Sequence, residues 1–416
     1  MKYSVFIIIL SFFFFTCKKE TDRNLFKSSF PENIQRTWIG AEYWSNPMQD
    51  WQLNSGRIEC IVSGGERNVY LLTHEVDTLA GDFTIKVRLG KLSDSLTQGW
   101  VGFNIGIQGE FNDYRSSAVR GEGFPVGITT SGELFIGKKA DNAEKINTSF
   151  KDLQLKLSAK PKGKFYDLQL VVFDEKNNQL AQIQRDSILP DWIEGGIALV
   201  CHSGDLAGFP DKRVFIEYPV WGTKKGTGRN GDVRFWFTGW EVSGSKISTH
   251  PERKYGAILF AQYTLSNNVL KITAQMPPMS KKDNQYVEFQ MKENNQWKSI
   301  AKAQIDTLSR IATFKIENWN SAKDIPYRLF YQYYANSNQL ANSYFEGTIR
   351  KEPLDKDELV VAAFTGNNDL GFPNNDIVKS IEYFNPDVLF FSGDQIYEGV
   401  GGYGAQRTPF NKAVLD

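Results

Sequence analysis

The sequence has little cysteine and little histidine, three of each in 416 residues. That is too few for a disulfide scaffold or for a zinc module of the usual kind. It has no excess of charge of either sign: Lys+Arg and Asp+Glu are both 48, so the formal net charge is zero. This argues against a nucleic-acid-binding patch on the scale of the whole protein. It lacks a membrane-length apolar run. The stretch from Val5 to Phe15 is interrupted only by Ser11, but it is too short to cross roughly 30 Å of hydrocarbon as a helix. Sustained helical periodicity is also missing, with no good run beyond about a dozen residues.

What is present points to strands. Hydrophobic residues make up 41% and aromatics 14%, which excludes wholesale disorder. The 35 glycines, with abundant Thr, Val, Ile, Tyr and Phe, favour strands and turns. At roughly 150 residues per domain, two or three domains are expected.

The first sixteen residues read as a secretory signal, with Lys2 as the charged start and Val5 to Phe15 as the apolar centre. Phe14-Phe15-Thr16-Cys17, followed by Lys18-Lys19-Glu20, resembles a bacterial lipoprotein signal. It departs from that pattern at Phe14 and Thr16, and a plain signal peptide with an incidental Cys is the alternative. The resemblance implies a lipid on Cys17, attachment to the membrane through that lipid, and a place in the bacterial cell envelope, on the outer membrane. With Cys17 lipidated, Cys60 and Cys201 remain. They either pair or stand as two buried thiols among apolar strand residues.

Residues 17–35 read as a polar tether. From 36 to 248 short alternating runs dominate. Phe83, Ile85, Val87 and Leu89 point one way, while Thr84, Lys86 and Arg88 point the other, the period of a half-buried strand. Ile197 to Cys201 reads as a more fully buried strand. Gly99 to Phe103, Phe124 to Ile128, Gly132 to Ile136 and Val233 to Gly244 resemble the concanavalin/laminin-G-like jelly roll. Such domains often hold carbohydrate, so glycan is an implied partner. Trp100, Tyr114, Trp236 and Trp240 are candidates for an aromatic sugar platform, with buried core the expectation for at least two of them. Glu110, Glu122 and Glu133 are available to a glycosidase but show no diagnostic spacing. Residues 252–350, with about seven short strands, have the size of a fibronectin- or immunoglobulin-like sandwich.

The period changes after Glu358. Leu359 to Phe364 is a continuous apolar run, as for a strand buried on both faces. Asp376 to Phe384 reads as a short helix with Asn374 or Asn375 as its cap. Asp387 to Phe391 is a second buried strand, and Ser392-Gly393-Asp394 is the loop at its end. Strand, helix, strand is a βαβ unit, and ligands of such sheets bind beyond the carboxyl ends of the strands. The fold class expected is therefore mostly β: a jelly roll, a fibronectin-like sandwich, then from 359 to 416 the start of an α/β domain.

Gly393-Asp394-Gln395-Ile396-Tyr397 resembles the Gly-Asp-x-x-Tyr motif of calcineurin-like metallophosphoesterases, above all their alkaline-phosphatase-D and purple-acid-phosphatase branches. Carboxylate and phenolate oxygens are hard donors suited to hard cations. The resemblance implies two metal ions (Fe, Ca, Zn or Mn) and a phosphate mono- or diester as substrate. Asp394 would bridge the ions and Tyr397 would bind one of them. The loop at Asn367, Asn368 and Asp369 stands where the first ligand motif belongs, and which of the three is the ligand stays open. The family's later Asn-His pair and further His ligands have no counterpart, since His74, His202 and His250 all precede this segment. No catalytic residue is expected within these 416 residues, and without the missing ligands they are expected to be inactive as a phosphatase. The alternative function is a surface carbohydrate-binding or scaffold lipoprotein.

Overall fold

The computed structural model describes residues 25–109, 113–139, 144–147, 149–206, 228–366 and 374–395. The signal segment, Cys17, Glu110, Asn367, Asn368, Asp369 and Tyr397 lie outside the described residues.

The first sandwich begins with β1 (Phe26–Lys27), β2 (Tyr43–Asn46), β3 (Trp51–Asn54), β4 (Arg57–Cys60), β5 (Arg67–Val76), β6 (Phe83–Lys91) and β7 (Gly99–Gln108). Helix α1 (Tyr114–Arg120) precedes β8 (Glu122–Thr129), β9 (Leu134–Ile136), β10 (Lys138–Lys139), β11 (Leu153–Lys162), β12 (Phe165–Phe173) and β13 (Gln179–Ile188). The short α2 (Pro190–Ile193) leads to β14 (Gly195–Ser203), β15 (Phe235–Ser243) and β16 (Ile247–Thr249). These strands make two eight-stranded sheets. One runs β13-β12-β11-β6-β15-β4-β3, with β1 added on β15; the other runs β10-β9-β8-β7-β14-β5-β16, with β2 added on β5. The pairings are antiparallel throughout. Two such sheets packed face to face are a jelly-roll β-sandwich.

Alternation builds the core. Phe83, Ile85, Val87 and Leu89 of β6 are all buried. Their partners on β11 continue the same face, with Leu155 opposite Val87 and Leu157 opposite Ile85. Leu53, Ile58, Phe103, Ile105, Leu199 and Phe237 fill the space between the sheets. Strand β14 is buried on both faces for a separate reason. Its inner residues Ile197, Leu199 and Cys201 belong to the main core. Its outer residues Ala198 and Val200 lie in two smaller clusters, one with Ala118 of α1 and the other with Trp100 and Phe135. Gly106 has φ +62° at the irregularity in the β7 pairing, where a Cβ would collide with the Trp192 carbonyl.

Residues 25–35 do not hang as a tether. Phe26 pairs with Val242 on β15, and Phe26, Phe30 and Ile34 are buried. Three apolar side chains at this spacing contribute more when sealed into the sandwich than when left in water.

The second sandwich has β17 (Phe260–Ser266), β18 (Val269–Gln275), β19 (Tyr286–Glu293), β20 (Gln296–Gln304), β21 (Ile311–Ile316), β22 (Ile325–Asn336) and β23 (Gln339–Ile349). A three-stranded sheet β17-β18-β21 faces a four-stranded sheet β20-β19-β22-β23, around Leu270, Ile272, Phe289, Phe314, Leu329 and Tyr331. The two sandwiches share a junction. Trp38, from the first, is fully buried within the second core. Arg36 Nη1 meets the fully buried Asp283 carboxylate at 3.3 Å, and Arg36 Nε donates to the Trp38 carbonyl at 2.7 Å. The Arg36 guanidinium also lies 4.9 Å from the Trp38 ring and 5.5 Å from that of Tyr333.

The last unit is β24 (Val361–Phe364), α3 (Asn375–Phe384) and β25 (Val388–Phe391), with β24 and β25 parallel. One expectation fails here. The strands are not buried on both faces: Val361 is 57% exposed, Leu389 49% and Phe390 55%. Parallel sheets hide both faces under helices and flanking strands, and among the described residues only α3 accompanies this pair. The helix cap stands at one of the two expected positions. Asn374 stands at the N-cap in the left-handed region, φ 52°, and its side chain makes no cap hydrogen bond. No helix among the described residues is long and apolar enough to cross a membrane.

Candidate functional site

The candidate site lies at the carboxyl ends of β24 and β25. Parallel pairing sets Phe364 beside Phe391, and their rings stack at 5.1 Å. Both chains then leave the sheet on the same side. The Phe364 carbonyl gathers the second loop. It accepts from Ser392 N at 3.0 Å, from Ser392 Oγ at 3.1 Å and from Gln395 Nε2 at 3.4 Å. Gln395 Nε2 also donates to the Gly393 carbonyl at 2.7 Å. Gly393 has φ 124° and Asp394 has φ 58°. A left-handed aspartate is uncommon, and this one turns the chain sharply just past the strand. Gly366, with φ 58°, makes the matching turn after β24. The carboxylate of Asp394 is therefore at the strand end, on an exposed loop.

The opposite end of the unit is anchored. The Asp387 carboxylate accepts from Val360 N at 3.1 Å and pairs with Lys356 at 2.6 Å. That ammonium holds the carboxyl below the usual range. Arg350 Nη1 donates to the Pro386 carbonyl at 2.7 Å, tying the unit to the end of the second sandwich. A groove of about 520 Å³ runs between β24 and α3, lined by Val361, Ala363, Ile377, Ile381 and Phe384. These are apolar walls, the kind that other side chains fill, and they offer little to a phosphate.

The described residues hold one part of the expected metal set. Asp394 is in place, whereas Tyr397 and the Asn367-Asn368-Asp369 loop lie outside them. Among the described residues no group of three or more His, Cys, Asp or Glu is arranged to hold a metal ion. The donor set for two ions is therefore not assembled by these residues alone. His74, His202 and His250 are strand and loop residues of the first sandwich and its border. Burial lowers the pKa of His74 and of His202. His202 accepts from Glu66 N at Nδ1, 3.1 Å, and stacks on Trp100 at 5.5 Å.

The four aromatics do not form one sugar platform. Trp240 is in the core and Trp100 is buried against Phe135. Tyr114 sits on α1 against the β5/β7/β14 sheet, flanked by Arg115 and Arg253 at 5.2 and 5.0 Å. Trp236 lies half-buried on the outer face of the other sheet, where a Cβ at Gly90 would collide with its ring. Arg57 stands 5.3 Å from that ring and Gln52 joins Arg57 on the Glu59 carboxylate. Of the candidate glycosidase acids, Glu133 is tied to Lys139 at 3.0 Å.

The buried ion pairs were not legible in the sequence. Asp50 is fully buried between Arg67 and Arg229, each at 2.8 Å. Lys246 is buried with Glu194 at 2.8 Å. These are isolated charges in strand-rich sequence, and no spacing marks them.

No protein-family model matches the chain, and no curated protein matches it. Solved structures do, over about half of the chain. Lectin II from Ulex europaeus is 12% identical, covers 54% of this chain and 99% of its own length, with a TM-score of 0.32. Lectin I from Ulex europaeus, in complex with the methyl glycoside of α-L-fucose, is 11% identical over 53% of this chain and 97% of its own, TM-score 0.29. The legume lectin-like domain from Entamoeba histolytica is 9% identical over 54% of this chain and 90% of its own, TM-score 0.26. The jelly-roll assignment itself rests on the two-sheet topology and its core.

Proposed function

We propose that the protein is an envelope lipoprotein whose C-terminal unit is the metal-binding edge of a phosphoesterase domain of the alkaline-phosphatase-D kind. The observation that supports this is the pair of parallel strands whose end loops are tied together at the Phe364 carbonyl, with a left-handed Asp394 on the second loop. In this reading Asp394, Tyr397 and one of Asn367, Asn368 or Asp369 would hold two metal ions. Metal ions held there would supply the positive charge that orients a phosphate ester and acidifies a water. Asp394 holds and orients them, and Gly393 lets the backbone turn tightly enough to present it. A lipid on Cys17 fixes the protein to the outer membrane, with the first sandwich beginning a few residues later at Phe26.

The test uses the product of the complete reading frame, assayed on p-nitrophenyl phosphate and its bis ester with Fe, Ca, Zn or Mn. Hydrolysis by that product, its loss in Asp394→Asn, and no hydrolysis by residues 1–416 alone are expected. A reading frame that ends at Asp416, or full activity in Asp394→Asn, overturns the reading.

A second reading is a surface carbohydrate-binding lipoprotein. It is favoured by Trp236, half-exposed on the outer sheet face beside Arg57 and Gln52. An aromatic ring with adjacent polar groups can stack on a sugar and bond its hydroxyls. A polysaccharide screen with the full chain and its Trp236→Ala variant decides: binding lost in the variant supports it, and no binding to any glycan ends it.

A further inference from the structure

The four-stranded sheet of the second sandwich carries aromatic side chains on its outer face, away from the core. Alternation along β22 sends Tyr327, Leu329, Tyr331 and Tyr333 inward and leaves Arg328, Phe330 and Gln332 on the outer face. Strand pairing sets Tyr344 of β23 beside Phe330, and Asn342 beside Gln332. Tyr344 is 44% exposed, and its ring stacks on that of Phe330 at 5.3 Å. Gln332 Nε2 donates to Asn342 Oδ1 at 2.9 Å.

Arg328 stands at the end of this row. Its guanidinium carbon lies 4.6 Å from the Trp297 ring of β20 and 4.6 Å from the Tyr344 ring. The two rings come from strands on opposite sides of β22, so they hold the cation between them. Arg328 Nε donates to Gln290 Oε1 at 2.6 Å. Gln290 is itself oriented: its Nε2 donates to the Glu288 carboxylate, which Lys302 meets at 3.4 Å. Glu346 is the cross-strand neighbour of Arg328 on β23, yet the guanidinium turns to the two rings and to Gln290. Its Nη nitrogens have no partner among the described residues. Lys292 brings a second cation to the Trp297 ring, at 5.7 Å.

A fixed guanidinium with an open N–H fork matches the planar, two-oxygen geometry of a carboxylate. Exposed rings beside it fit the apolar face of a pyranose, and the amides next to them can bond its hydroxyls. We propose that this face binds an acidic polysaccharide. Arg328 takes the carboxylate of a uronic acid unit, and the Phe330–Tyr344 pair stacks on the adjoining sugar. The site lies on the second sandwich, apart from both Asp394 and Trp236, and stands or falls separately from the readings that use them.

The test titrates the full chain with fluorescently labelled polygalacturonate, read by anisotropy. Binding that weakens with added salt is expected. Arg328→Gln should weaken it by about tenfold or more. Arg328→Lys should restore little, because an ammonium lacks the fork. Tyr344→Ala should also weaken binding, and it carries the test if Arg328→Gln lowers the melting temperature. The fully methyl-esterified polymer should bind far more weakly, since its carboxylates are blocked. Trp236→Ala should leave the affinity unchanged, which separates this face from the jelly roll. Absence of binding, equal binding of the esterified polymer, unchanged affinity in both Arg328→Gln and Tyr344→Ala, or tighter binding of poly-L-glutamate overturns the proposal.

Discussion

Leu157 and Leu389 both lie in strands, and both sit among apolar neighbours. Leu157 of β11 is fully buried, and Leu389 of β25 is 49% exposed. The difference comes from what each sheet carries with it. In the first sandwich a single stretch of chain supplies both facing sheets, so every inward residue finds a partner. The β24–β25 pair has two faces to hide and one helix beside it. Apolar strand residues state a demand for cover, and chain topology decides whether it is met.

The junctions differ in the same way. Arg36 is buried, closes an ion pair with a fully buried Asp283 and lies between two aromatic rings. Arg350 ties the βαβ unit on with a bond to one carbonyl. Removing Arg36 (Arg36→Ala) strands the Asp283 charge and should cost about 3–5 kcal/mol, measured by urea unfolding. Arg350→Ala should cost about 0.5–1.5 kcal/mol, the worth of one hydrogen bond. Equal costs would erase the distinction between the two junctions.

Core truncation should separate the regions next. Leu157→Ala should lose about 2–5 kcal/mol, whereas Leu389→Ala should stay within about 0.5 kcal/mol, as at a surface position. Amide exchange sharpens the point: β11 should be protected far longer than β24 and β25.

A smaller effect is expected with pH. Burial holds His74 and His202 in the neutral form, so their folded-state pKa values lie below the ordinary value of about 6.5. The unfolded chain then binds more protons just below that value. Stability should be full above pH ~6.5 and decline as pH falls through the window below it. A melting temperature flat from pH 7.5 to 5.5 would contradict this. The βαβ unit has no histidine to contribute. Last, Asp394→Asn should leave the melting temperature unchanged, because its side chain is exposed. A marked loss of stability would make Asp394 a structural turn residue.

Much of the fold was legible in the sequence. The period-two run from Phe83 to Leu89 is the β6 strand, with each expected side chain buried. The change to continuous apolar runs after Glu358 marks a parallel βαβ unit. Residues 25–35 were not legible, because a two-residue strand such as Phe26–Lys27 has too little pattern to stand out from a tether. The aromatic candidates were half legible. Trp236 and Trp240 differ by four positions in one strand, and which side of the sheet each faces depends on an irregularity in the pairing of β15 with β6.

The strand-rich class, and the place where it gives way to an α/β unit, follow from the sequence alone, because side-chain period is a local property of the chain. It also marked Asp394 as a strand-end carboxylate, since loops after parallel strands fall at one edge of the sheet. Folding in three dimensions was needed to bring Cys60 and Cys201 into one core, to pair Arg36 with Asp283 and to leave Leu389 uncovered. Those outcomes join residues far apart in sequence, and they follow from which faces the folded chain brings together.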